Sequence, residues 1–333
     1  MRNIVVIGGS TGASDVIKPL LAGLPQDFGG SVFVSTHVPA EGLRALGAVL
    51  ATHSRLPVSY PEDGETVRPG HVYLPTPDRH LLLVGGVMRH GFGPRENMVR
   101  PSIDPLFRSA AATYGPRAVG VILTGMLSDG ASGLEAVARC GGATVVQDPE
   151  TALAPDMPLA ACRAVTPDYL APPERLAEVI AGLAREPAPP GPSAPEDLRF
   201  EIEIALGRRL GSARLERLAD PAPLVCPDCQ GVLSQVRQAP PLRFRCQTGH
   251  AFNADVLFGA QDDKVEEALR IALRVVEERV DLVSRIADDA RRTGRNSVAS
   301  MYESRHREYA NYATTLREAA ISMMRDADEP EKD

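Results

Sequence analysis

The 333-residue sequence lacks a long apolar run and an excess of positive charge. No stretch of about 18 apolar residues occurs, and the opening MRNIVVIGGS passes from a short apolar run into glycines, unlike a signal peptide. Its 36 basic and 43 acidic residues leave a net charge of −7, which provides no field to hold nucleic acid or an anionic membrane. We therefore expect a soluble cytoplasmic protein without nucleic-acid partners and without direct membrane insertion.

Cysteine is scarce, and the five cysteines are too few and too unevenly placed for a disulfide framework. Cys226, Cys229, Cys246 and His250 follow the spacing C-x₂-C-x₁₆-C-x₃-H, which is typical of a zinc site built from two short loops. Four protein ligands leave no open position for water, so the spacing predicts a structural zinc rather than a catalytic one. Reduced, unliganded cysteines are the alternative.

The first 183 residues alternate strand and helix patterns, which predicts an α/β fold with a doubly wound, mostly parallel sheet. Between about 57 and 93, short strands around a two-glycine turn predict an antiparallel hairpin insertion. The segment EPAPPGPSAPE at 186–196 holds five prolines in eleven residues and is typical of a linker. We expect residues 1–183 to form a domain with its own core and residues 184–196 to form the linker.

The chain after the linker predicts a second module. Residues 197–260 contain the cysteine cluster and suggest a small zinc-ribbon-like module, and an acidic tail follows at 327–333. Between them, 261–326 carries two amphipathic patterns separated near Gly294, which predicts a helical hairpin. The hairpin either buries only its own contact face or offers a surface for a homodimer or a receptor.

A glycine-rich loop, Gly8-Gly9-Ser10-Thr11-Gly12, lies between the first strand and the first helix. One chemistry for such a loop is binding of a dinucleotide pyrophosphate. The second strand ends in Ser35-Thr36-His37 rather than in the acidic residue that a ribose requires, and a Tyr-x-x-x-Lys pair is absent. The other chemistry is acyl transfer by a serine on a sharp strand-to-helix turn, which fits Ser10.

A nucleophilic serine needs a general base and an acid that orients the base. His37 follows the second strand and Asp129 follows the strand predicted at 118–124, so both are candidates. Because the carboxyl ends of parallel strands share one edge of a sheet, we expect Ser10, His37 and Asp129 to converge. Each residue alone also has an ordinary structural explanation, as a helix cap, a loop histidine and a turn aspartate.

The strings IGGSTGAS, THVP, RPSIDPLF (100–107), ILTGMLSDGASG (122–133) and the Gln-Asp block at 141–148 together resemble the catalytic domain of the bacterial chemotaxis protein-glutamate methylesterase family. The resemblance implies a Ser10, His37 and Asp129 triad, with Thr11, Gly12 and Met126 beside the reacting centre. It implies hydrolysis of glutamyl methyl esters on the cytoplasmic domain of methyl-accepting chemoreceptors, with methanol as product, and deamidation of glutamine. It also implies that catalysis needs no cofactor.

The sequence departs from that family pattern at several positions. Leu127 stands where we expect glycine, Val38 where methionine is common, and the segment 154–158 reads APDMP. The first strand starts at residue 3, so we expect no phospho-receiver domain ahead of it. Two alternatives remain open: a catalytically idle scaffold that binds receptors or signalling partners, and an esterase or amidase with another protein substrate.

Overall fold

The computed structural model describes residues 1–37, 40–209, 211–237 and 240–328. Val38 and residues 329–333 of the predicted acidic tail lie outside these ranges. Contacts divide the chain into two compact units, Met1–Leu257 and Phe258–Asp333. Each unit is described by itself.

A seven-stranded sheet forms the centre of the first unit, and every neighbouring pair of its strands is parallel. This confirms the predicted α/β class. The order is β3-β4-β2-β1-β7-β8-β9. The strands are β1 Ile4–Gly9, β2 Ser31–Thr36, β3 Val58–Ser59, β4 His71–Tyr73, β5 His80–Val84, β6 Val87–Gly91, β7 Ala118–Ile122, β8 Ala143–Gln147 and β9 Tyr169–Ala171, of which β5 and β6 lie outside this sheet.

Helices cover both faces of the sheet, because alternate residues of each central strand point to opposite sides. Val5 and Ile7 of β1 join one core, and Ile4 and Val6 join the other. The first core contains α1 Ala13–Gly23, α2 Ala40–His53 and α6 Pro173–Arg185; the second contains α3 Ile103–Tyr114, α4 Ala131–Arg139 and α5 Asp156–Ala164. The result is a three-layer α/β/α arrangement.

The predicted hairpin insertion is confirmed in β5 and β6, which pair antiparallel. Gly85 and Gly86 form its turn with φ of 61° and 86°, a left-handed conformation that glycine adopts without strain. The insertion is shorter than the sequence pattern predicts. His71–Tyr73, expected within it, pairs in parallel with β2 and extends the main sheet instead.

The chain beyond the proline-rich segment returns to the same compact unit. Helix α7, Glu196–Ala205, places Leu198 and Ile202 in the second core beside α3. After α8, Ser212–Leu218, an antiparallel sheet follows, made of β10 Ala219–Val225, β11 Val232–Val236, β12 Arg243–Cys246 and β13 Ala251–Asn253. The sequence predicts a boundary at 184–196, whereas the compact unit of the structure continues to Leu257.

A buried group of charges explains this continuity. Arg245 of β12 donates to Glu96 at 3.1 Å and to Glu201 of α7 at 2.9 Å. Arg243 donates to Glu201 at 2.7 Å, and Arg108 of α3 pairs with both glutamates. All five side chains are at most 7% exposed, so each charge depends on the others for compensation. We call these five residues the arginine–glutamate cluster.

The second unit consists of two long helices, as the amphipathic patterns predict. Helix α9 runs from Ala254, in the first unit, to Arg292, and α10 spans Asn296–Asp328. Gly294 turns the chain between them with φ of 73°. Arg291 pairs with Glu303, and Glu277 pairs with Arg317, so the helices run antiparallel. Among the described residues, no helix has the length and apolarity to cross a membrane.

Candidate active site

The strand order brings Ser10 and His37 to adjacent positions at one edge of the main sheet. Ser10 follows β1 and His37 follows β2, and the residues just before them, Gly9 and Thr36, are register partners. Neighbouring strands lie about 4.8 Å apart. β1 lies between β2 and β7, where the direction of strand addition reverses, and such a switch point leaves a crevice at the carboxyl ends of the strands.

Asp129 comes to the same edge from the loop after β7 and contacts His37. The Nε2 of His37 lies 2.6 Å from Oδ2 of Asp129. The Asp129 side chain is 3% exposed and that of His37 is 17% exposed, so the pair is shielded while the histidine still reaches solvent. A carboxylate only accepts hydrogen bonds, so Nε2 carries the proton and Nδ1 keeps its lone pair.

The N-terminus of α3 holds the Asp129 carboxylate. The backbone N–H of Ile103 donates to Oδ2 at 2.7 Å, and the Ser102 hydroxyl donates to Oδ1 at 2.8 Å. Burial by itself would raise the pKa of Asp129. Hydrogen bonds from His37, Ile103 and Asn97 outweigh burial and hold this pKa well below its usual range. Asp129 is therefore ionised at neutral pH.

Thr11 and Gly12 follow Ser10 directly in the chain, and Met126 follows Gly125, whose backbone lies against the Ser10 side chain. Gly12 precedes α1 with φ of 78°, and Met126 is 58% exposed in the loop after β7. The Ser10 N–H donates to the carbonyl of Thr124 at 2.9 Å, which ties the two loops together. Within the described ranges, the N–H groups of Thr11 and Met126 donate to no backbone acceptor.

Four residues that support the site were not singled out from the sequence. Asn97 and Ser102 orient Asp129, while the side-chain oxygen of Gln147 accepts the N–H of Thr124 at 2.9 Å. The Thr124 hydroxyl donates to the carbonyl of Thr11 at 3.0 Å. Three of these residues lie inside the sequence strings that resemble the family: Ser102, Thr124 and Gln147. A polar residue at the end of an apolar strand, as at Gln147, could have indicated a role in the site.

Leu127, the unexpected residue beside the acid, has a left-handed backbone with φ of 61°. Glycine is the residue that adopts this conformation without strain, which explains why glycine is expected there. The Leu127 side chain is 47% exposed and Met126 beside it is 58% exposed. The departure from the family pattern therefore adds apolar surface next to the loop of Asp129.

A cavity of about 350 Å³ adjoins His37. Thr36, Met98 and the two arginines Arg95 and Arg100 line it with His37. Arg100 also donates to Asp78 at 2.8 Å, so part of its charge is compensated, whereas the Arg95 side chain is exposed. The cavity wall beside His37 therefore carries positive charge.

The predicted metal ligands converge in the structure. The ligand atoms of Cys226, Cys229, Cys246 and His250 all lie within 4.8 Å of one another. The Sγ atoms of Cys229 and Cys246 are 3.6 Å apart, close to the edge of about 3.8 Å that tetrahedral zinc–sulfur bonds of about 2.3 Å require. Nδ1 of His250 is 3.5 Å from Sγ of Cys246, so this nitrogen faces the thiols. The donor set fits a metal ion, and all five cysteines are free.

Comparison with known proteins assigns residues 5–180 to one family. The sequence profile described as CheB methylesterase matches residues 5–180, more than half of the chain. A protein-glutamate methylesterase/protein-glutamine glutaminase 2 from Anaeromyxobacter dehalogenans is 39% identical over 183 residues, which are 55% of this chain and 53% of that protein. The corresponding protein 1 of Xanthomonas campestris is 37% identical over 187 residues, covering 55% of this chain and 52% of the relative. The chain thus spans about half the length of these curated relatives.

A solved structure agrees with the sequence comparison. The crystal structure of the Thermotoga maritima CheB methylesterase catalytic domain is 34% identical and matches with a TM-score of 0.53. It covers 54% of this chain and 98% of that domain. The recognised strings, the parallel sheet and both comparisons agree, and the chain belongs to the CheB methylesterase family.

Proposed function

We propose that the protein is a serine hydrolase that removes methyl esters from glutamate side chains of chemoreceptors and deamidates glutamine side chains. The observation that carries this proposal is the 2.6 Å contact between His37 and Asp129 at the sheet edge where Ser10 follows the adjacent strand. The names of the relatives, protein-glutamate methylesterase/protein-glutamine glutaminase, support the same chemistry. Ser10, His37 and Asp129 form the catalytic triad in this proposal.

In the first half-reaction, His37 accepts the proton of the Ser10 hydroxyl as the oxygen attacks the ester carbonyl. Because Nε2 donates to Asp129, Nδ1 is the nitrogen that accepts this proton. Asp129 fixes the tautomer of the ring and stabilises the imidazolium. The His37 imidazolium then protonates the departing methanol, or ammonia from an amide, and leaves a glutamyl ester on Ser10.

In the second half-reaction, His37 deprotonates a water molecule that attacks the glutamyl ester, and the Ser10 hydroxyl leaves with the proton. Both half-reactions pass through a tetrahedral oxyanion. The N–H groups of Thr11 and Met126 are the proposed donors to that oxyanion. Thr11 follows Ser10, Met126 follows Gly125, whose backbone lies against Ser10, and neither N–H donates to a described backbone acceptor. No cofactor takes part.

The proposed substrate is the cytoplasmic domain of a methyl-accepting chemoreceptor, and the enzyme acts in the cytoplasm. Arg95 and Arg100 beside His37 support a protein substrate in which acidic residues flank the modified glutamate. Five free cysteines, three of them in the ligand group, suit a reducing compartment.

We further propose that the ligand group of Cys226, Cys229, Cys246 and His250 holds a structural zinc ion. Four protein ligands complete a tetrahedral site, so no position is left for a reacting water. Of the three arginines at 237–245, Arg243 and Arg245 are buried in the arginine–glutamate cluster and Arg237 pairs with Asp220, so the segment is unsuited to nucleic-acid contacts. We therefore propose that the zinc-ribbon-like module serves as a structural scaffold within the first unit.

Methanol release from a methylated chemoreceptor fragment tests the enzymatic proposal. The full chain is compared with His37→Gln and with His53→Gln, a matched change of an exposed histidine on α2. The proposal expects release by the wild type and His53→Gln, and a fall of at least about a hundredfold in His37→Gln. Absence of release from the wild type, with a folded protein and a substrate that a relative demethylates, would favour the scaffold or another substrate.

A further inference from the structure

We call the antiparallel sheet β10–β13, residues 219–253, with its metal-ligand group the cysteine-rich module. Its last strand lies against the loop that carries Asp129. Asn253 ends β13 and is 2% exposed. Its Nδ2 donates to the carbonyl of Ser128 at 2.9 Å and lies 3.1 Å from the Ser128 hydroxyl oxygen. Ser128 directly precedes Asp129 in the chain. Asn253 therefore fixes the backbone from which the triad acid projects.

A second contact from the same residue reaches Asp129 from the other side. The backbone N–H of Asn253 donates to Oδ1 of Asn97 at 2.8 Å. Nδ2 of Asn97 then donates to Oδ1 of Asp129 at 2.9 Å. Because the side-chain oxygen of Asn97 accepts the N–H of Asn253, the side-chain nitrogen of Asn97 is the atom that faces the Asp129 carboxylate. The orientation of the Asn97 amide is thus set by the module.

Two further bonds hold this interface together. The Asn97 N–H donates to the carbonyl of Ala251 at 2.8 Å, so the segment of Asn97 continues the edge of β13. The Ser128 hydroxyl donates to the Asp255 carboxylate at 2.5 Å, at the start of α9. Ser128 is consequently held through its carbonyl and its hydroxyl by residues that follow the proline-rich segment.

The metal-ligand group lies at the base of the same strand. Cys246 ends β12, and His250 immediately precedes β13, three residues before Asn253. Arg245 donates to the carbonyl of Gly249 at 2.8 Å, which links the ligand loop to the arginine–glutamate cluster. The position of Asn253 therefore depends on how the loop between Cys246 and His250 is held.

We propose that the cysteine-rich module positions the triad acid, with Asn253 acting on Asp129 through Asn97 and Ser128. Asn253 is a positioning residue in this proposal, since its contacts are with Asn97 and Ser128 and not with the reacting atoms. The module thus sets the efficiency of the site as well as stabilising the fold. The activity readout of this inference rests on the proposed esterase function, whereas its spectroscopic readout does not.

The test compares Asn253→Ala with Phe252→Leu in the full chain. Phe252 is the neighbouring buried residue of β13 and packs in the module core, so its change controls for general weakening of the module. For Asn253→Ala we expect a fall in kcat of about tenfold with little change in KM, less than the roughly hundredfold loss that about 1 Å of misplacement causes. For Phe252→Leu we expect kcat close to that of the wild type.

Nitrogen-15 NMR of labelled histidine provides a readout that needs no substrate. The wild type should show His37 in the single tautomer with the proton on Nε2, identified by loss of its signals in His37→Gln. Asn253→Ala should show a mixture of tautomers, and Phe252→Leu should not. Asp255→Ala, a change at an exposed residue that releases the Ser128 hydroxyl, should shift the tautomer in the same direction.

The two readouts separate the two proposals. Unchanged tautomer populations in folded Asn253→Ala and Asp255→Ala would overturn the positioning role, whatever the activity. If Asn253→Ala does not fold, Asp255→Ala alone decides by the same criterion. A wild type that shows the single tautomer but releases no methanol would contradict the proposed function and leave the positioning role standing.

Discussion

Replacing Glu201 by glutamine tests whether the chain on both sides of the proline-rich segment forms one folding unit. The Glu201 carboxylate accepts from Arg243 at 2.7 Å and from Arg245 at 2.9 Å, and lies 3.3 Å from Arg108. Burial raises the pKa of Glu201, but these guanidinium groups outweigh burial and lower it well below its usual range. Glu201 is therefore ionised in the folded protein.

Glu201→Gln keeps the size of the side chain and removes its charge. Arg108 and Arg245 then share the carboxylate of Glu96, and Arg243 loses the carboxylate with which it pairs. Loss of one partner from a buried ion pair costs about 3–5 kcal/mol. Glu203→Gln on the same helix is the matched control, because Glu203 is 34% exposed and pairs with arginines at the surface. Its expected cost is below about 1 kcal/mol.

The assay is hydrogen exchange followed by mass spectrometry at increasing urea, which reports each region separately. We expect peptides from β1 and from β12 to lose protection together, and at lower urea in Glu201→Gln than in Glu203→Gln. Equal effects of the two variants would refute the role of the arginine–glutamate cluster. Loss of protection in β12 alone, with β1 unchanged, would show that residues 1–183 fold independently.

Three other changes test separate parts of the structure. Leu127→Gly should raise the free energy of unfolding by about 0.5–1 kcal/mol, because the strain of a left-handed leucine, about 1–2 kcal/mol, exceeds the cost of glycine's flexibility in the unfolded chain. A lower free energy of unfolding in a urea titration would contradict this. Burial and the charge of Asp129 raise the pKa of Asp104 to about 7, so the folded state binds a proton that the unfolded state releases near pH 4. Wild-type stability relative to Asp104→Asn should therefore fall between about pH 4 and 7, by at most about 1.4 kcal/mol per pH unit, and a flat difference would refute the shift. Cys229→Ser should lower the metal content measured by mass spectrometry and lower Tm, whereas a wild type without bound zinc would contradict the structural site.

Much of the fold could be predicted from sequence because its signals are local. The apolar strands buried on both faces, the glycine turn at Gly85-Gly86 and the helical periodicities each depend on short stretches of chain. The continuity of the first unit across 184–196 could not be predicted. It depends on Glu201, Arg243 and Arg245, and a buried ion pair has the same sequence appearance as a solvated one.

The candidate site likewise combines features that local sequence patterns predict with contacts that they do not. Ser10, His37 and Asp129 each follow a strand, so the rule that parallel strands share an edge predicts one common location for them, and His37 and Asp129 are in contact there. The contacts of Asn253 with Ser128 and Asn97 join positions 125 and 156 residues apart and follow no periodic pattern. Only tertiary packing reveals that the cysteine-rich module adjoins the acid.

Ser10 is the proposed nucleophile of an esterase. The most direct measurement is methanol release from a methylated chemoreceptor fragment by the full chain, by Ser10→Ala and by Ser14→Ala, a nearby serine on α1. This role of Ser10 predicts release by the wild type and by Ser14→Ala, and none above the uncatalysed rate from folded Ser10→Ala. Equal release by the wild type and Ser10→Ala would contradict it.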